Sequence, residues 1–444
     1  MPELPPNSAE INADFDLNDW LAYIEALHPK DIEMGLGRLN EVKQRLNLDI
    51  QFPVITVAGT NGKGSSCAML EHIYQAAGYR VASYSSPHLL NYSERIRVNC
   101  QEISDDDLIA AFQAVEAVRQ NTQLTYFEYG TLAAMCPFSK SAVDVAILEV
   151  GLGGRLDAVN AFEPNCTIVT SVDLDHMEFL GDTRESIGAE KAGIFRKNIP
   201  AICGDLNPPQ SLIATAQKLG ADLMLIQRDF NFERQTKVWT YQSLQVRYEG
   251  LPMPALIGDF QLLNAACVLS AIQTLQKSLP VSVEAISGGL QAVRLRGRFQ
   301  YLSHHPDVIL DVAHNPHAAK SLAINLHQTS AKGKTIAVFA MLADKNIAGV
   351  IAAIADEIDA WYVAGIAHVR GAAAAQTSAL IAERLPQANI KVFEYVADAY
   401  RQACIDANEN DRIIILGSFF TVAEVMRVLQ TATFNDRTNK NGAR

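Results

Sequence analysis

The stretch Val54-Ile-Thr-Val-Ala58 runs directly into Gly59-Thr-Asn-Gly-Lys-Gly-Ser65, and this junction constrains the chain more than any other. The first five residues read as a buried strand. After the glycines, Met69, Leu70, Ile73 and Ala77 form a helical stripe, and Val81-Ala-Ser-Tyr84 reads as a second strand. A strand–loop–helix–strand unit is the start of a parallel, doubly wound sheet. Glycines let backbone N–H groups turn toward phosphate oxygens, and the helix N-terminus adds positive potential. Lys63 is spaced to reach outer phosphates, and a hydroxyl of Ser65 or Ser66 is a candidate for Mg²⁺. The usual G-x-x-x-x-G-K-[ST] template is not met, because Val57 stands at its first glycine and Gly64 follows the lysine. The bland alternative is a tight turn with an incidental lysine. The strand before and the helix after favour phosphate binding.

Further strands are predicted at Val143–Val150, Cys166–Val172 and Pro200–Cys203. Such near-continuous apolar runs suit parallel strands covered on both faces. Upstream, Trp20, Leu21, Ile24 and Leu27 share one face of a helical pattern running from Leu17 to about Leu48. Residues 229–250 read as a hairpin and Phe260–Lys277 as a helix. At Arg294-Leu-Arg-Gly-Arg298 the character changes and a second α/β cycle begins. Its strands are predicted at 308–311, 335–339, 360–363, 391–393 and 412–416. The expected fold is α/β in two domains. Residues 1–295 form a P-loop NTPase-like doubly wound sheet, and residues 296–444 a smaller Rossmann-like domain. Residues 1–16 and 433–444 read as loose ends.

Lys plus Arg number 37 against 49 Asp plus Glu, a formal net charge of −12. General affinity for nucleic acid needs basic surface to displace counterions, so no nucleic-acid partner is expected. The seven cysteines are scattered, with no C-x-x-C pair, which points to a reducing compartment. The acidic N-terminal stretch lacks the apolar core of a secretion signal, and no apolar run approaches the roughly 18 residues of a membrane span. A cytoplasmic monomer without a membrane partner is the expected form.

Glu149 closes an apolar strand just before Gly151-Leu-Gly-Gly154. Ligands of open α/β sheets sit beyond the carboxyl ends of strands, so a carboxylate there is a natural Mg²⁺ ligand. His176, in Asp173-Leu-Asp-His, is an unusual Mg²⁺ ligand, and chemistry alone favours a structural hydrogen bond. Lys191 alone reads as a surface lysine. Asp311 ends a strand and suits either a ribose contact or a helix cap. Arg298 suits a surface salt bridge.

Seven ordered blocks carry a resemblance. They are Val57–Ser65, Tyr84-Ser-Ser-Pro-His88, Tyr126-Phe-Glu-Tyr-Gly-Thr131, Leu148–Asp157, Glu190-Lys-Ala-Gly-Ile194, Gly297-Arg-Phe299 and Leu310-Asp-Val-Ala-His-Asn-Pro316. Together the chain resembles the folylpolyglutamate synthases, relatives of the Mur ligases, over roughly residues 20 to 425.

The resemblance implies a Mg²⁺- and ATP-dependent ligase that joins L-glutamate to a folate-type carboxylate. ATP would be held by Gly59, Thr60, Asn61, Gly62, Lys63, Gly64 and Ser65, with Asn264 from the first domain and Arg298 and Asp311 from the second. Ser86, Glu149 and His176 would hold two Mg²⁺ ions. Lys63, Glu149, His176 and Lys191 would be the catalytic set, with Lys191 carbamylated by CO₂. A monovalent cation is a further candidate cofactor. Glu33, Met34 and Gly35, the segment Thr125, Tyr126, Phe127 and Glu128, and Leu156, Asp157 and Ala158 would contact the pterin. Glu33-Met34 stands where an Asp-Leu type pair is usual. By residue chemistry, Phe127 offers a flat apolar contact and Asp157 an acceptor pair for an aminopyrimidine edge. His314 is a candidate glutamate contact.

The Leu156-Asp157-Ala158 block implies two activities, on dihydropteroate and on reduced folates. The alternatives are a ligase with the polyglutamylating activity alone, a murein-precursor ligase, and a nucleotide-binding switch without turnover. Only about 50 residues precede the phosphate loop, which argues against the additional N-terminal domain of a murein ligase.

Overall fold

The computed structural model describes residues 15–441 except 31 and 330. The expectation for residues 1–14 therefore lies outside the described residues. The chain divides into two compact units. The first comprises 1–88, 92–255 and 262–293; the second comprises 89–91, 256–261 and 294–444.

The first unit opens with helices α1 (Leu17–Ala26) and α2 (Gly37–Leu46), then β1 (Val54–Ala58), α3 (Lys63–Ala76), β2 (Val81–Tyr84), β3 (Ile96–Val98) and β4 (Gln101–Glu102). It continues with α4 (Asp105–Arg119), α5 (Tyr126–Lys140), β5 (Val145–Glu149), β6 (Cys166–Val169), α6 (Met177–Leu180) and α7 (Arg184–Ala192). Next come β7 (Pro200–Cys203), α8 (Gln210–Leu219), β8 (Asp222–Leu225), β9 (Phe230–Arg234), β10 (Val238–Ser243), β11 (Arg247–Pro252), α9 (Phe260–Leu275, counted in this unit from Leu262) and α10 (Val283–Ala292).

Eight strands form one sheet in the order β4-β3-β2-β5-β1-β6-β7-β8. β2 through β8 in that order pair in parallel, and β3 and β4 add an antiparallel edge. β1 is central, with Val57 opposite Glu149 of β5 and Ala58 opposite Val169 of β6. All residues of β1 and β5 are buried, as their unbroken apolar runs require.

Two expectations need correction here. The helical pattern of 17–48 is two helices, because Pro29 and Gly35 interrupt it and Gly35 sits at φ 151°. The expected hairpin at 229–250 is a three-stranded antiparallel sheet, β11-β10-β9.

The second unit holds β12 (Gln300–Ser303), β13 (Asp307–Leu310), α11 (Pro316–Gln328), β14 (Thr335–Phe339), α12 (Ile347–Ile354), β15 (Ala360–Gly365), α13 (Ala374–Arg384), β16 (Asn389–Tyr395), α14 (Val396–Asp406), β17 (Arg412–Leu416) and α15 (Phe419–Asn441). Its sheet order is β12-β13-β17-β14-β15-β16, parallel except for β12. β12 escaped the sequence reading, because Gln300-Tyr-Leu-Ser303 is only partly buried at an edge. The strand residues alternate between two cores. Ile309, Ala337, Phe339, Trp361, Val363, Ile414 and Leu416 face one. Val308, Leu310, Ile336, Val338, Tyr362, Ile413 and Ile415 face the other. A sheet buried on both faces is the doubly wound arrangement. The expected loose end at 433–444 is also corrected. Backbone helix continues through Asn441, propagating from the apolar Val422–Leu429 turns at little cost per residue. Residues 442–444 lie outside the description.

One close approach fixes α10 on α3. A Cβ on Gly289 would lie 2.5 Å from Ile73 Cα and 2.7 Å from its backbone nitrogen. Backbone cannot rotate away as a side chain can. Gly289→Ala should therefore force the helices apart and destabilise the first unit by about 1–3 kcal/mol, read as a lower midpoint in thermal or urea unfolding.

Candidate active site

The phosphate loop is shaped by what it leans on. Gly59 (φ 151°) abuts Thr170, whose Oγ1 would overlap any Cβ there. Gly62 (φ 87°) caps α3 and abuts the amide of Asn264 in the same way. Both positions therefore need glycine for space and for backbone conformation. The segment after β6 braces the loop. Thr60 N–H donates to Ser171 O at 2.8 Å, and Asn61 N–H donates to Ser171 Oγ at 3.1 Å. Thr60 Oγ1 accepts from Asp173 N–H at 2.9 Å. Lys63 Nζ curls back to Gly59 O at 2.9 Å. Ser65 is buried in the first turn of α3 beneath the loop. The sequence-predicted residues 59–65 and Asn264 thus come together around one helix N-terminus.

Glu149 ends β5, the neighbour of β1, and is buried. Its Oε2 accepts from Ser86 N–H at 3.3 Å, so the Tyr84–His88 block and the β5 end meet. His176 follows β6, on the other side of β1, in left-handed conformation (φ 50°) with Asp175 Oδ1 accepting its N–H at 2.9 Å. Asp173 and Asp175 are acidic residues at a strand end that the sequence reading passed over. Their signal was the same as that of Glu149, a carboxylate just beyond an apolar strand.

Lys191, in the last turn of α7, is buried rather than a surface lysine. Burial and, after it, the Lys63 charge push its ammonium down to about 7, against the pull of Asp175 and Asp157. That corresponds to roughly 5 kcal/mol against the charged form. The amine is therefore substantially neutral at physiological pH.

The glycine-rich loop after β5 collects the next group. Gly151 packs under the Phe127 ring, where a Cβ would come within 2.6 Å. Gly153 lies against Leu180, with Met34 nearby. Asp157 is spent partly on this loop itself. Its oxygens accept from Leu152 N–H at 2.8 Å and Val159 N–H at 3.0 Å. Burial raises its carboxyl to about 7 despite these amides. It is thus a capping residue, for the 3-10 turn Ala158–Ala161, whatever else it touches. Thr125 and Glu128 form the capping box of α5. Arg38, absent from the sequence reading, joins Glu128 (3.1 Å) to Glu33 (3.3 Å) and so ties two of the predicted pterin segments together. Tyr126 sits under the Arg95 guanidinium at 5.5 Å, and Tyr84 lies 5.8 Å from Phe127.

In the second unit, Asp311 accepts from Phe299 N–H at 2.9 Å and Ala313 N–H at 2.8 Å. This joins the Gly297–Phe299 and Leu310–Pro316 blocks. Burial raises the Asp311 carboxyl, and Arg298 opposes the shift. The cap of α11 is Asn315, not Asp311. Arg298 lies over the Phe419 ring at 5.2 Å, and the His314 ring is 6.1 Å from the same phenyl.

Comparison with known proteins agrees with this geometry. The Mur ligase middle domain matches residues 57–272, and the Mur ligase glutamate ligase domain matches residues 297–419. The dihydrofolate synthase/folylpolyglutamate synthase of Escherichia coli is 45% identical over 414 residues, covering 93% of this chain and 95% of that protein. A solved structure of E. coli FolC in complex with DHPP and ADP superposes with a TM-score of 0.90 at 43% identity, covering 96% of this chain and all of that one. A bifunctional folylpolyglutamate synthase/dihydrofolate synthase with Mn, AMPPNP and L-glutamate bound gives a TM-score of 0.87 at 45% identity, covering 96% of this chain. The expected two-domain α/β fold and the resemblance both hold at this level of identity, and the chain belongs to the dihydrofolate synthase/folylpolyglutamate synthase family of ATP-dependent Mur-type ligases.

Proposed function

We propose that this protein adds L-glutamate to dihydropteroate and to reduced folates already carrying glutamate, at the expense of ATP. The observation that carries the reading is the gathering of Lys63, Glu149 and buried Lys191 around the carboxyl end of the central strands. Relatives bound to ADP with DHPP, and to AMPPNP with L-glutamate, support the substrate set.

A carboxylate is a poor electrophile, so it must first be activated. Phosphoryl transfer from ATP to the substrate carboxylate gives an acyl phosphate and ADP. The neutral amine of glutamate then attacks the acyl carbon, and phosphate leaves. Lys63 and the loop N–H groups stabilise charge on the transferring phosphoryl group, and their fixed positions remove much of the ordering cost.

The donor set fits divalent magnesium. Glu149 is a buried carboxylate at a strand end, with Ser86 beside it and Asp173, Asp175 and His176 on the adjoining segment. Glu149, Ser86 and His176 would hold the ions, which when bound supply positive charge to the phosphates. Lys191, about half neutral at pH 7, is the amine that CO₂ would carbamylate, the neutral nitrogen adding to the carbon and releasing one proton to leave an anionic carbamate. Met34, Phe127 and the 151–158 loop form the proposed pterin contacts, with Glu33 and Glu128 held by Arg38. Arg298 and Asp311 are the proposed nucleotide contacts of the second unit, and His314 its glutamate contact. A cytoplasmic monomer is the form we infer. Among the described residues, no helix is long and apolar enough to cross a membrane.

Three outcomes test this. ADP release should require glutamate together with either dihydropteroate or a reduced folate; turnover with reduced folate alone would leave only the polyglutamylating activity. Lys63→Ala should fold normally by circular dichroism and lose ADP release by at least about a hundredfold, the scale of removing a preorganised charge donor. For Lys191, protonation dominates below its value of about 7 and the neutral amine above it. A mass increment of one CO₂ should therefore appear in bicarbonate above pH 7, vanish on acidification, and be absent from Lys191→Arg.

A further inference from the structure

Outside the site just described, one set of three metal-ligating side chains converges among the described residues. Glu71 and His72 on α3 and Cys100 in the β3–β4 turn each bring a ligand atom within 4.8 Å of the others. We propose that Glu71, His72 and Cys100 form a binding site for a thiophilic divalent cation, with Zn²⁺ the best match.

The residue types are those zinc prefers: one thiolate, one imidazole and one carboxylate. Three protein ligands leave a fourth, open position. Magnesium, which demands oxygen, is a poor match for this donor set. The supports of the ligands point the same way. His72 Nδ1 lies 2.8 Å from Ala68 O, a carbonyl that can only accept. The proton is therefore on Nδ1, and Nε2 is left with its lone pair for a metal. Glu71 is buried and its two oxygens accept from the Arg97 guanidinium at 2.8 and 3.0 Å through Oε2 and 3.3 Å through Oε1. A ligating carboxylate is commonly held by such a donor. The guanidinium charge opposes a cation, but the Glu71 and thiolate charges together outweigh it.

Cys100 sits where turn chemistry does not ask for cysteine. It and Asn99 have φ of 59° and 54°, the left-handed pair of a tight hairpin turn. Asparagine and glycine suit those positions, whereas a cysteine there is conformationally costly. Its Sγ now donates to Gln75 Oε1 at 3.1 Å. On metal binding the S–H bond breaks, its proton passes to solvent and the sulfur electron pair forms the metal–thiolate bond. His72 and Cys100 are both partly exposed, so the metal has access and the side chains can rotate to close the gap. The bound ion would cross-link α3, the helix behind the phosphate loop, to the antiparallel edge of the sheet.

The test uses the full chain with metal alone. One equivalent of Co²⁺ should give a thiolate-to-cobalt charge-transfer band, and Zn²⁺ should displace it and raise the melting temperature. Cys100→Ser and His72→Ala should each lose the band and the thermal shift. Both should keep Mg²⁺-dependent ADP release and a native circular dichroism spectrum. Glu149→Gln should keep the band. A cobalt spectrum without a thiolate band, a band surviving in Cys100→Ser, or cobalt uptake abolished by Glu149→Gln would each overturn the proposal.

Discussion

The close seating of two glycines orders everything around the phosphate loop. Gly59 is pressed on Thr170 and Gly62 on Asn264, and neither contact leaves room for a side chain. The loop therefore leans on the segment that follows β6 and on α9, not only on its own helix. That contact sets where α3 begins and where Lys63 turns. Glu149 and the segment of Asp173, Asp175 and His176 flank the loop from opposite sides because β1 lies between β5 and β6 in the sheet.

Burial then sets the charge states. Lys191 and Asp157 both move toward about 7, from opposite directions and for the same reason, since a charge removed from water is disfavoured. Each is partly restored by neighbours: Asp157 by backbone amides and Lys63, Lys191 by Asp175 and Asp157. The net charge of −12 says little about this region. Lys63, the α3 N-terminus and the loop amides supply positive charge and partial charge at the loop itself, beside carboxylates that suit a divalent cation.

The phosphate loop was legible because strand, glycines and helix are contiguous, and local pattern suffices for a contiguous unit. Glu149 was legible as the last residue of an apolar strand. Arg38 was not, because its partners Glu33 and Glu128 are brought to it by different elements, and an arginine on a polar helix face carries no signal of its own. β12 was missed because an edge strand need not be apolar. Asp157 was read for its two acceptor oxygens, yet it also spends them on Leu152 and Val159.

From the sequence alone came the central strands of both sheets, the phosphate loop, the two α/β cycles and, through the ordered blocks, the family. These depend on period, glycine placement and contiguous motif, all of which are local. The tertiary structure alone decided that Lys191 is buried, that Asn264 rests on Gly62, and that Cys100 meets Glu71 and His72. Each of those depends on which helices and turns pack together. The free energy of a side chain in water or in the interior is set by neighbours distant in the chain.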